Sequence, residues 1–352
     1  MTEKVGVLTA SYSFLQRYRY FATFASGIGL LRRGVGPPAC PISKHQPMTL
    51  SLRIVALLRN TFDTLFYFAA MAVKENFRNY VGRAGVVGRP SQELVLLANG
   101  PSLGRELPRL LARGDHRTKD FLVVNFFAED NRFEEIRPKY YVLSDPMFFR
   151  QSVNRERVEA LYRRLNEKVT WEMNLYVQYY NPERFDYRRR LTNPHIRIVP
   201  FHTLLYHGFR SVEFWLFRHG LGSANFGTVI QNGEYIGLLL GYRHLSLYGV
   251  DHTLLEGLCV DASNRLCRAD RHYYDQGAAA APRPIYFNAT LPPVPYTMAS
   301  YLAEVAELFR GHEVLRDYAA TLGARIVNHT AGSMIDAYER AGEAEQQEAE
   351  PK

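Results

Sequence analysis

Four polar side chains stand directly behind short apolar runs of this 352-residue chain, and their types suit the binding of a polar ligand. They are Asn99, Asn125, Asp145 and Asp251. Each preceding run is typical of a strand that is buried on both faces of a parallel sheet. Because parallel strands end along one edge, we expect these amides and carboxylates to gather there. Asn and Asp also form ordinary turns, but four of them together favour a ligand with sugar or base hydroxyls.

The turn after the first of these runs has the features of an anion site. Leu94–Leu97 is followed by Asn99, Gly100 and Pro101, and Ser102 stands where a helix would begin. We expect the Ser102 hydroxyl to cap this helix by accepting a hydrogen bond from a free backbone N–H. Free amides and the positive end of a helix dipole favour a bound anion. The turn lacks the dinucleotide-binding glycine pattern and the Lys-Ser/Thr pair of a P-loop, and a tight turn without a ligand is the alternative.

The elements that would position these residues alternate regularly along the chain. Strands are predicted at 94–98, 121–124, 140–143, 175–179, 196–199, 245–248 and 324–327. Helices are predicted at about 103–113, 150–168, 226–240 and 297–322. This alternation predicts an α/β fold with a Rossmann-like, mostly parallel sheet and helices on both faces. We expect one domain over residues 91–338 with a lid at about 252–290, followed by a disordered acidic tail, 339–352.

The positive charge of the chain is confined to its N-terminal quarter. Residues 1–90 hold 12 Lys or Arg against 3 Asp or Glu, whereas the remaining residues hold 31 against 32. This distribution argues against a nucleic-acid-binding core and favours contact of the N-terminal segment with an anionic membrane surface. A helical pattern covers about residues 50–80, but Arg59, Asn60 and Asp63 leave an apolar part that is too short to span a bilayer. An interfacial amphipathic helix and a helix packed on the globule both fit, and the first predicts a peripheral protein at the cytoplasmic face of the inner membrane.

Two further features bear on the compartment and on where the chain starts. Cys40, Cys259 and Cys267 form neither a disulfide framework nor paired metal ligands, which favours a reducing compartment. The early apolar stretch is interrupted by arginines, so we expect no cleavable signal peptide. The stronger helical pattern opens at Met48, which gives the hypothesis that the natural start is Met48, with Met1 as the alternative.

The polar motifs, taken in order, resemble those of bacterial sialyltransferases of glycosyltransferase family 42. The motifs are Asn99-Gly-Pro-Ser-Leu103, Val124-Asn125-Phe126-Phe127, Ser144-Asp145-Pro146, Leu240–Asp251, Arg271-His-Tyr-Tyr274 and Ala324–Asn328. The resemblance covers about residues 92–340. It extends more loosely to the domain of motility-associated flagellin glycosyltransferases and archaeal pterin pyrophosphokinases.

The resemblance implies a transferase that moves a CMP-activated acidic sugar, sialic acid-like or another nonulosonic or ulosonic acid, onto a cell-surface glycan. Such a reaction needs a base for the acceptor hydroxyl, here His272, and donors for the departing phosphate, here Arg271, Tyr273 and Tyr274. The implied donor-binding residues are Asn99, Gly100, Pro101, Ser102, Asn125, Asp145, Gly227 and Thr228. No metal or other cofactor is implied, since no Asp-x-Asp clamp stands at a strand end.

The chain departs from the family pattern at three places. Asp145 stands where the family has Asn, which puts a carboxylate near an acidic sugar. His252 and Thr253 follow Asp251, where the family has a tyrosine pair for the leaving phosphate. Gln276 occupies the spacing of the family's catalytic histidine, so His252, directly behind a strand end, is the second candidate for the base.

Two other functions stay open from the sequence. A pterin-type pyrophosphokinase would need Mg²⁺ held by carboxylates, for which Asp145 and Asp251 are available. A degenerate transferase domain would bind the nucleotide sugar at the membrane without catalysis. The sequence leaves the sugar, the acceptor, the linkage and the formation of a homo-oligomer open.

Overall fold

A computed structural model describes residues 50–150, 154–178, 186–223, 227–269, 281–288 and 293–341. Within these ranges, the residues from Ile54 onward belong to one compact unit. The residues up to Arg53 form a separate unit, of which only the last four are described. Met48 lies outside the described residues, so the expected start there stays a prediction.

The order of helices and strands follows the predicted alternation. The helices are α1 (Leu50–Lys74), α2 (Tyr80–Ala84), α3 (Leu103–Ala112), α4 (Asp115–Thr118), α5 (Phe133–Ile136), α6 (Met147–Arg150), α7 (Arg155–Lys168), α8 (Arg210–Arg218), α9 (Val229–Leu239) and α10 (Met298–Thr321). The strands are β1 (Glu93–Leu97), β2 (Asp120–Val124), β3 (Tyr140–Leu143), β4 (Met173–Gln178), β5 (Ile196–Phe201), β6 (His244–Tyr248), β7 (Leu258–Val260), β8 (Leu266–Arg268), β9 (Arg283–Pro284), β10 (Tyr286–Asn288), β11 (Val294–Pro295), β12 (Arg325–Asn328) and β13 (Glu339–Arg340). Every predicted strand is present, with its ends shifted by a residue or two, whereas α8 and the short helices α2, α4, α5 and α6 were not predicted.

Eight strands form one sheet in the order β13-β12-β6-β1-β2-β3-β4-β5, and each neighbouring pair is parallel. The predicted parallel α/β fold is confirmed. From β1 the chain adds strands in one direction as far as β5, and then adds β6 and β12 on the other side of β1. The direction of strand order therefore reverses between β1 and β6, which is where open parallel sheets bind ligands beyond their carboxyl ends.

Helices cover both faces of the sheet because the strands are apolar on both sides. Leu94 and Leu96 of β1 belong to a buried cluster that includes side chains of α9 and α10. Val95 and Leu97 belong to a second cluster that includes side chains of α3 and α7. Successive side chains of a strand point to opposite faces, so the two clusters lie on opposite sides of the sheet. The predicted placement of helices on both faces is confirmed.

Helix α9 lies close against the sheet because two of its residues are glycines. A Cβ on Gly233 would lie 2.8 Å from Leu122 and 3.2 Å from Leu96. A Cβ on Gly237 would lie 2.7 Å from Leu94. Since residue 233 lies over Leu96 and residue 237 over Leu94, the helix runs away from the carboxyl ends of the strands. Its first turn is therefore at the same edge as the predicted polar residues.

Two small groups of strands lie in the region predicted as a lid. Strands β7, β8 and β9 form an antiparallel sheet, and β10 pairs with β11. Residues 270–280 and 289–292 of this region lie outside the described residues. Farther on, Glu339 and Arg340 fall in the segment predicted to be disordered, yet they pair with β12. The Arg340 guanidinium supports this pairing by donating to the Thr330 carbonyl at 3.1 Å.

Helix α1 has one packed side and one exposed side. By length and composition it could cross a membrane, and little of it is buried. Tyr67 and Met71 pack in a buried cluster with Leu216 and Leu221, and the Tyr67 hydroxyl donates to the Leu221 carbonyl at 2.6 Å. The exposed large apolar residues are Leu50, Leu52, Ile54, Val55, Leu57, Leu58, Phe62, Leu65, Phe66 and Val73. The helix ends at Lys74, earlier than the predicted residue 80.

Candidate functional site

The four predicted polar residues follow four strands that are neighbours in the sheet. In the order β6, β1, β2 and β3, these strands lead to Asp251, Asn99, Asn125 and Asp145. Because the strands are parallel, all four residues lie at the carboxyl edge, as predicted. The reversal between β1 and β6 is part of the same edge, so we take it as the candidate site.

The N-terminus of α3 is occupied by a carboxylate of the chain itself. Asp251 Oδ1 accepts from the Ser102 amide at 3.2 Å, and Asp251 Oδ2 accepts from the Ser102 hydroxyl at 2.8 Å. The prediction that the Ser102 hydroxyl caps its own helix is wrong, because that side chain makes no capping bond. A carboxylate is the stronger acceptor and is stabilised at the positive end of a helix, so Asp251 takes this place.

Gly100 permits this close arrangement. Its amide donates to the Gly249 carbonyl at 2.9 Å, which joins the turn after β1 to the turn after β6. A Cβ at residue 100 would lie 1.9 Å from Asp251 Oδ2 and 2.5 Å from the Gly249 carbonyl oxygen. Glycine is therefore required here by close approach of backbone and carboxylate.

A second carboxylate, Glu106, holds the same junction from the next turn of α3. Its two oxygens accept from the Gly249 amide at 2.8 Å and from the Ala331 amide at 3.3 Å. Burial raises the pKa of Glu106 to about 7, and the nearby Asp251 carboxylate acts in the same direction. Glu106 was not among the predicted site residues, although its position between Leu103 and Leu110 on the apolar side of the helix was a usable signal.

Strand β12 neighbours β6 on the side away from β1, and the loop after β12 holds the end of β6 in place. Thr330 Oγ1 accepts from the Val250 amide at 3.0 Å, and the Ser333 hydroxyl donates to the Val250 carbonyl at 2.6 Å. The Met334 amide donates to the Asp251 carbonyl at 3.0 Å. These hydrogen bonds hold the backbone that carries Asp251 independently of the contacts of its side chain.

Asn99 and Asn125 carry buried amide oxygens that have no partner in the described part of the chain. The Asn99 side-chain nitrogen donates to the Val124 carbonyl at 3.3 Å, whereas Asn99 Oδ1 accepts no hydrogen bond from the described residues. Asn125 has a left-handed backbone with φ 51°, and its carbonyl accepts from the Tyr141 hydroxyl. Buried polar atoms in folded proteins nearly always have a hydrogen-bond partner. These two oxygens are therefore suited to a ligand hydroxyl or amino group.

Asp145 stands half-buried beyond β3. Its Oδ1 accepts from the Met147 amide at 2.9 Å. Burial raises the pKa of the Asp145 carboxyl, and the Met147 amide partly opposes this. Burial likewise raises the pKa of Asp251, against the opposing effect of its bonds to Ser102. Because their pKa values are raised, the Asp145 and Asp251 carboxylates are easier to protonate when an acidic ligand approaches.

The first turn of α9 brings further polar groups to this edge. Gly227 has φ 109°, a conformation that favours glycine, and Thr228 stands at the N-cap without a capping side-chain bond. Asn232 is fully buried, and among the described residues neither its Oδ1 nor its Nδ2 has a partner. Asn232 and its neighbour Gln231 were not predicted as site residues, although polar side chains within a mostly apolar helix could have indicated them.

The predicted base and leaving-group residues lie outside the described residues. They are His272, Arg271, Tyr273 and Tyr274, and their roles stay predictions. Within the ranges that are described, no three His, Cys, Asp or Glu side chains are grouped to hold a metal. Both Asp251 oxygens lie within 3.4 Å of Ser102 donors, so a cation at Asp251 would compete with those bonds.

Comparison with known proteins finds similarity only among solved structures. No family model and no curated protein matches the chain. Among solved structures, the chain is similar to the MAf glycosyltransferase from Magnetospirillum magneticum AMB-1, with 14% sequence identity and a TM-score of 0.41. The match covers 76% of this chain and 38% of that protein, so this chain spans well under half of it.

A separate cavity of about 520 Å³ lies at the outer strand β5. It is lined in part by Tyr80, Arg83, Arg188 and Arg197. Four steps along the sheet separate β5 from β1, and none of the predicted site residues lines this cavity. The cavity is therefore distinct from the polar edge at β6, β1, β2 and β3.

Proposed function

We propose that this chain is a glycosyltransferase that moves a CMP-activated acidic sugar onto a cell-surface glycan, as in bacterial lipopolysaccharide or capsule biosynthesis. The sugar would be sialic acid-like or another nonulosonic or ulosonic acid. The resemblance of the ordered motifs to family 42 sialyltransferases supports the donor class. In this proposal a histidine is the base, and neither a metal nor a nucleic acid takes part.

The observation that carries the proposal is the concentration of unpartnered polar atoms near the carboxyl edge. In the described part of the chain, five such buried atoms belong to the turns after β1 and β2 and to helix α9. They are on Asn99, Asn125, Gln231 and Asn232. Each unpaired buried polar group costs about 1–3 kcal/mol, so a fold tolerates a group of them where a ligand completes the hydrogen bonds. A nucleotide sugar offers many hydroxyl and amino groups for that purpose.

The proposed placement of the donor follows from these contacts. The ribose and the base lie across the ends of β1 and β2, where Asn99 and Asn125 bind their hydroxyl and amino groups. Asp145 accepts from donors of the ribose or cytosine. The phosphate lies at the uncapped first turn of α9, next to Gly227 and Thr228, where the helix dipole stabilises its charge.

The turn Gly100-Pro101-Ser102 has a supporting role in this placement. Its amide and hydroxyl already bind the Asp251 carboxylate, so it shapes the wall of the donor site instead of binding the phosphate. The same contacts weigh against the pyrophosphokinase alternative, because its Mg²⁺ would have to draw Asp251 away from Ser102. A degenerate binding module would share the donor site and lack turnover.

We also propose that α1 holds the protein peripherally on an anionic membrane at the cytoplasmic face of the inner membrane. The packed side of α1 is fixed by Tyr67, so its opposite side stays outward. That side exposes Phe62 and Phe66. Trp215 lies in α8, the helix that packs on α1 through Leu216, and is 46% exposed. Aromatic and aliphatic side chains next to the basic residues Arg59 and Lys74 suit the interface of an anionic bilayer.

A thermal-shift panel on the full chain tests the proposed function. CMP, CDP, UDP, GDP and ATP are each added with Mg²⁺ or with EDTA, and the melting temperature is recorded. Stabilisation by CMP or CDP in EDTA supports the transferase, because ligand that binds only the folded state raises its stability. Stabilisation by ATP only with Mg²⁺ would support the kinase instead. The absence of a shift with any nucleotide would refute a nucleotide site.

A further inference from the structure

Four side chains from four separate segments, three of them buried, form a hydrogen-bonded chain beside the candidate site. His252 Nε2 lies 3.0 Å from His312 Nε2 of α10. His312 Nδ1 lies 3.0 Å from the Tyr338 hydroxyl and 3.5 Å from Oε1 of Glu234 in α9. The Tyr338 hydroxyl donates to Glu234 Oε2. Glu234 and His312 are both fully buried, so the chain ends on a carboxylate that water does not reach.

The outer end of this chain points to the carboxyl edge of the sheet. His252 directly follows Asp251, whose carboxylate lies at the N-terminus of α3. Its backbone is left-handed with φ 52°, a conformation that non-glycine residues adopt rarely and that often occurs at functional sites. His252 Nδ1 makes no hydrogen bond with any described residue, and the residue is half-buried. One ring nitrogen is thus held by the protein and the other is available.

The hydrogen bonds determine which ring nitrogens carry protons. Burial and the Glu234 carboxylate raise the pKa of the Tyr338 phenol, so Tyr338 keeps its proton and donates it to Glu234. The Tyr338 oxygen must then accept from a proton on His312 Nδ1, which leaves His312 Nε2 as an acceptor. His252 Nε2 must therefore be the donor in the contact between the two rings. His252 Nδ1 is left with a lone pair.

We propose that His252 is the general base of the transfer, and that His312, Tyr338 and Glu234 are positioning residues that take over the charge. This inference rests on the proposed glycosyltransferase function and assigns its base to His252 in place of His272. The residue is near the ends of the strands that hold the donor, and it presents an imidazole lone pair, as a base requires.

The proton and electron movements balance within this chain of groups. The acceptor oxygen forms the glycosidic bond to the anomeric carbon, and the bond from that carbon to the CMP phosphate oxygen breaks, with its electron pair leaving on the phosphate. The hydroxyl proton moves to His252 Nδ1, and the Nε2 proton of His252 moves to His312 Nε2. The positive charge then lies on His312, beside the Glu234 carboxylate.

The direction of the His252 pKa agrees with this route. Burial lowers the pKa of His252 to about 3, and His312 adds to the effect, so a charge on the His252 ring itself is unfavourable. Passing a proton inward leaves His252 neutral and places the charge next to a buried anion, which is the favoured partner for it.

His202, a buried histidine outside this hydrogen-bonded chain, has the contacts expected of a structural histidine. His202 Nδ1 lies 2.5 Å from Glu75 Oε2, and His202 Nε2 lies 2.9 Å from the Arg78 carbonyl. Both of its ring nitrogens are occupied, so it cannot take a proton from a substrate. His202 is therefore a matched control for the loss of a buried imidazole.

The first test measures CMP release from a CMP-activated sugar by the full chain, with water as acceptor. His252→Gly suits the left-handed backbone, and we expect kcat to fall about 10²–10⁴-fold with little change in the donor KM. Added imidazole should restore part of the rate, and Tyr338→Phe should lower kcat with the donor KM retained. His202→Asn should lose stability but keep kcat. The inference is overturned if His252→Gly keeps the wild-type rate or if His272→Asn alone abolishes turnover.

The second test does not depend on activity. Long-range ¹H–¹⁵N correlation NMR on histidine-labelled protein identifies the protonated nitrogen of each ring, with single histidine variants as assignments. We expect the proton of His252 on Nε2 and that of His312 on Nδ1, and the reverse arrangement would overturn the inference. If the wild type neither binds CMP nor releases it, the proposed function fails, and this measurement still decides the proton arrangement.

Discussion

The substitution Gly100→Ala should destabilise the fold by an amount that the contacts of this residue define. A Cβ there would lie 2.5 Å from the Gly249 carbonyl oxygen, whereas real Cβ atoms essentially never come within 3.0 Å of another heavy atom. The Gly100–Gly249 hydrogen bond holds both backbones, so the clash must strain them, at about 1–3 kcal/mol. The Asp251 carboxylate, 1.9 Å from the new Cβ, must also leave Ser102, and hydrogen bonds to a charged group contribute about 1.5–3 kcal/mol. We expect a total loss of about 2.5–6 kcal/mol.

Urea denaturation followed by circular dichroism measures this loss. Gly104→Ala is the matched control, because Gly104 lies in the first turn of α3, four residues after Gly100, and a Cβ there would meet nothing within 4 Å. Alanine is a better helix former than glycine, so the control should gain about 0.5–1 kcal/mol. If Gly100→Ala unfolded within 1 kcal/mol of the wild type, on the order of the control's own effect, the described contact of Asp251 with the α3 N-terminus would be refuted.

Three further predictions follow from the described contacts. Burial raises the pKa of Glu106 from 4.5 to about 7, so the folded state binds a proton that the unfolded chain releases. As the pH rises through this window, the unfolding free energy of the wild type should fall relative to that of Glu106→Gln by at most about 3 kcal/mol, and parallel pH curves would contradict this. The double variant Phe62→Ser and Phe66→Ser should lose flotation with anionic vesicles, while Leu302→Ser, a control on exposed α10 surface, should float like the wild type. Gly227→Ala should lose about 1–3 kcal/mol of stability because alanine rarely adopts φ 109°, and unchanged urea midpoints would argue against that backbone conformation.

Most of the sheet could be predicted because its signals are local. Short apolar runs such as Phe121–Val124 identify strands that are buried on both faces, and polar residues behind them mark the strand ends. Parallel pairing then places those ends on one edge, so the gathering of Asn99, Asn125 and Asp145 needed no tertiary information. Helix α8 is short and was not predicted; its Leu216 packs with Tyr67 of α1, and its Phe217 packs on Tyr235 of α9 and Tyr318 of α10.

The contacts on which the proposed chemistry depends could not be predicted because they join distant parts of the chain. Asp251 reaches Ser102 across 149 residues, so the sequence assigned to Ser102 the capping role that a carboxylate performs. His252 meets His312 across 60 residues, and Tyr338 meets Glu234 across 104. Each of these residues is ordinary in its local context, and only the packing of α9 and α10 on the sheet brings them together.

The position of Asn125 allows a direct test of the proposed nucleotide site with a matched control. Its φ of 51° suits glycine, so Asn125→Gly removes the side-chain amide without straining the backbone. Asn264 has φ 57° and lies exposed in the turn between β7 and β8, so Asn264→Gly makes the same change away from the strand ends.

Isothermal titration of CMP into the full chain in EDTA, compared across these two variants, tests the central claim most directly. We expect the wild type and Asn264→Gly to bind CMP with equal affinity. We expect Asn125→Gly to bind about tenfold or more weakly, since a lost hydrogen bond in a buried site costs about 1–3 kcal/mol. Equal CMP affinity for all three proteins, or no heat with any of them, would contradict a nucleotide site at the carboxyl edge.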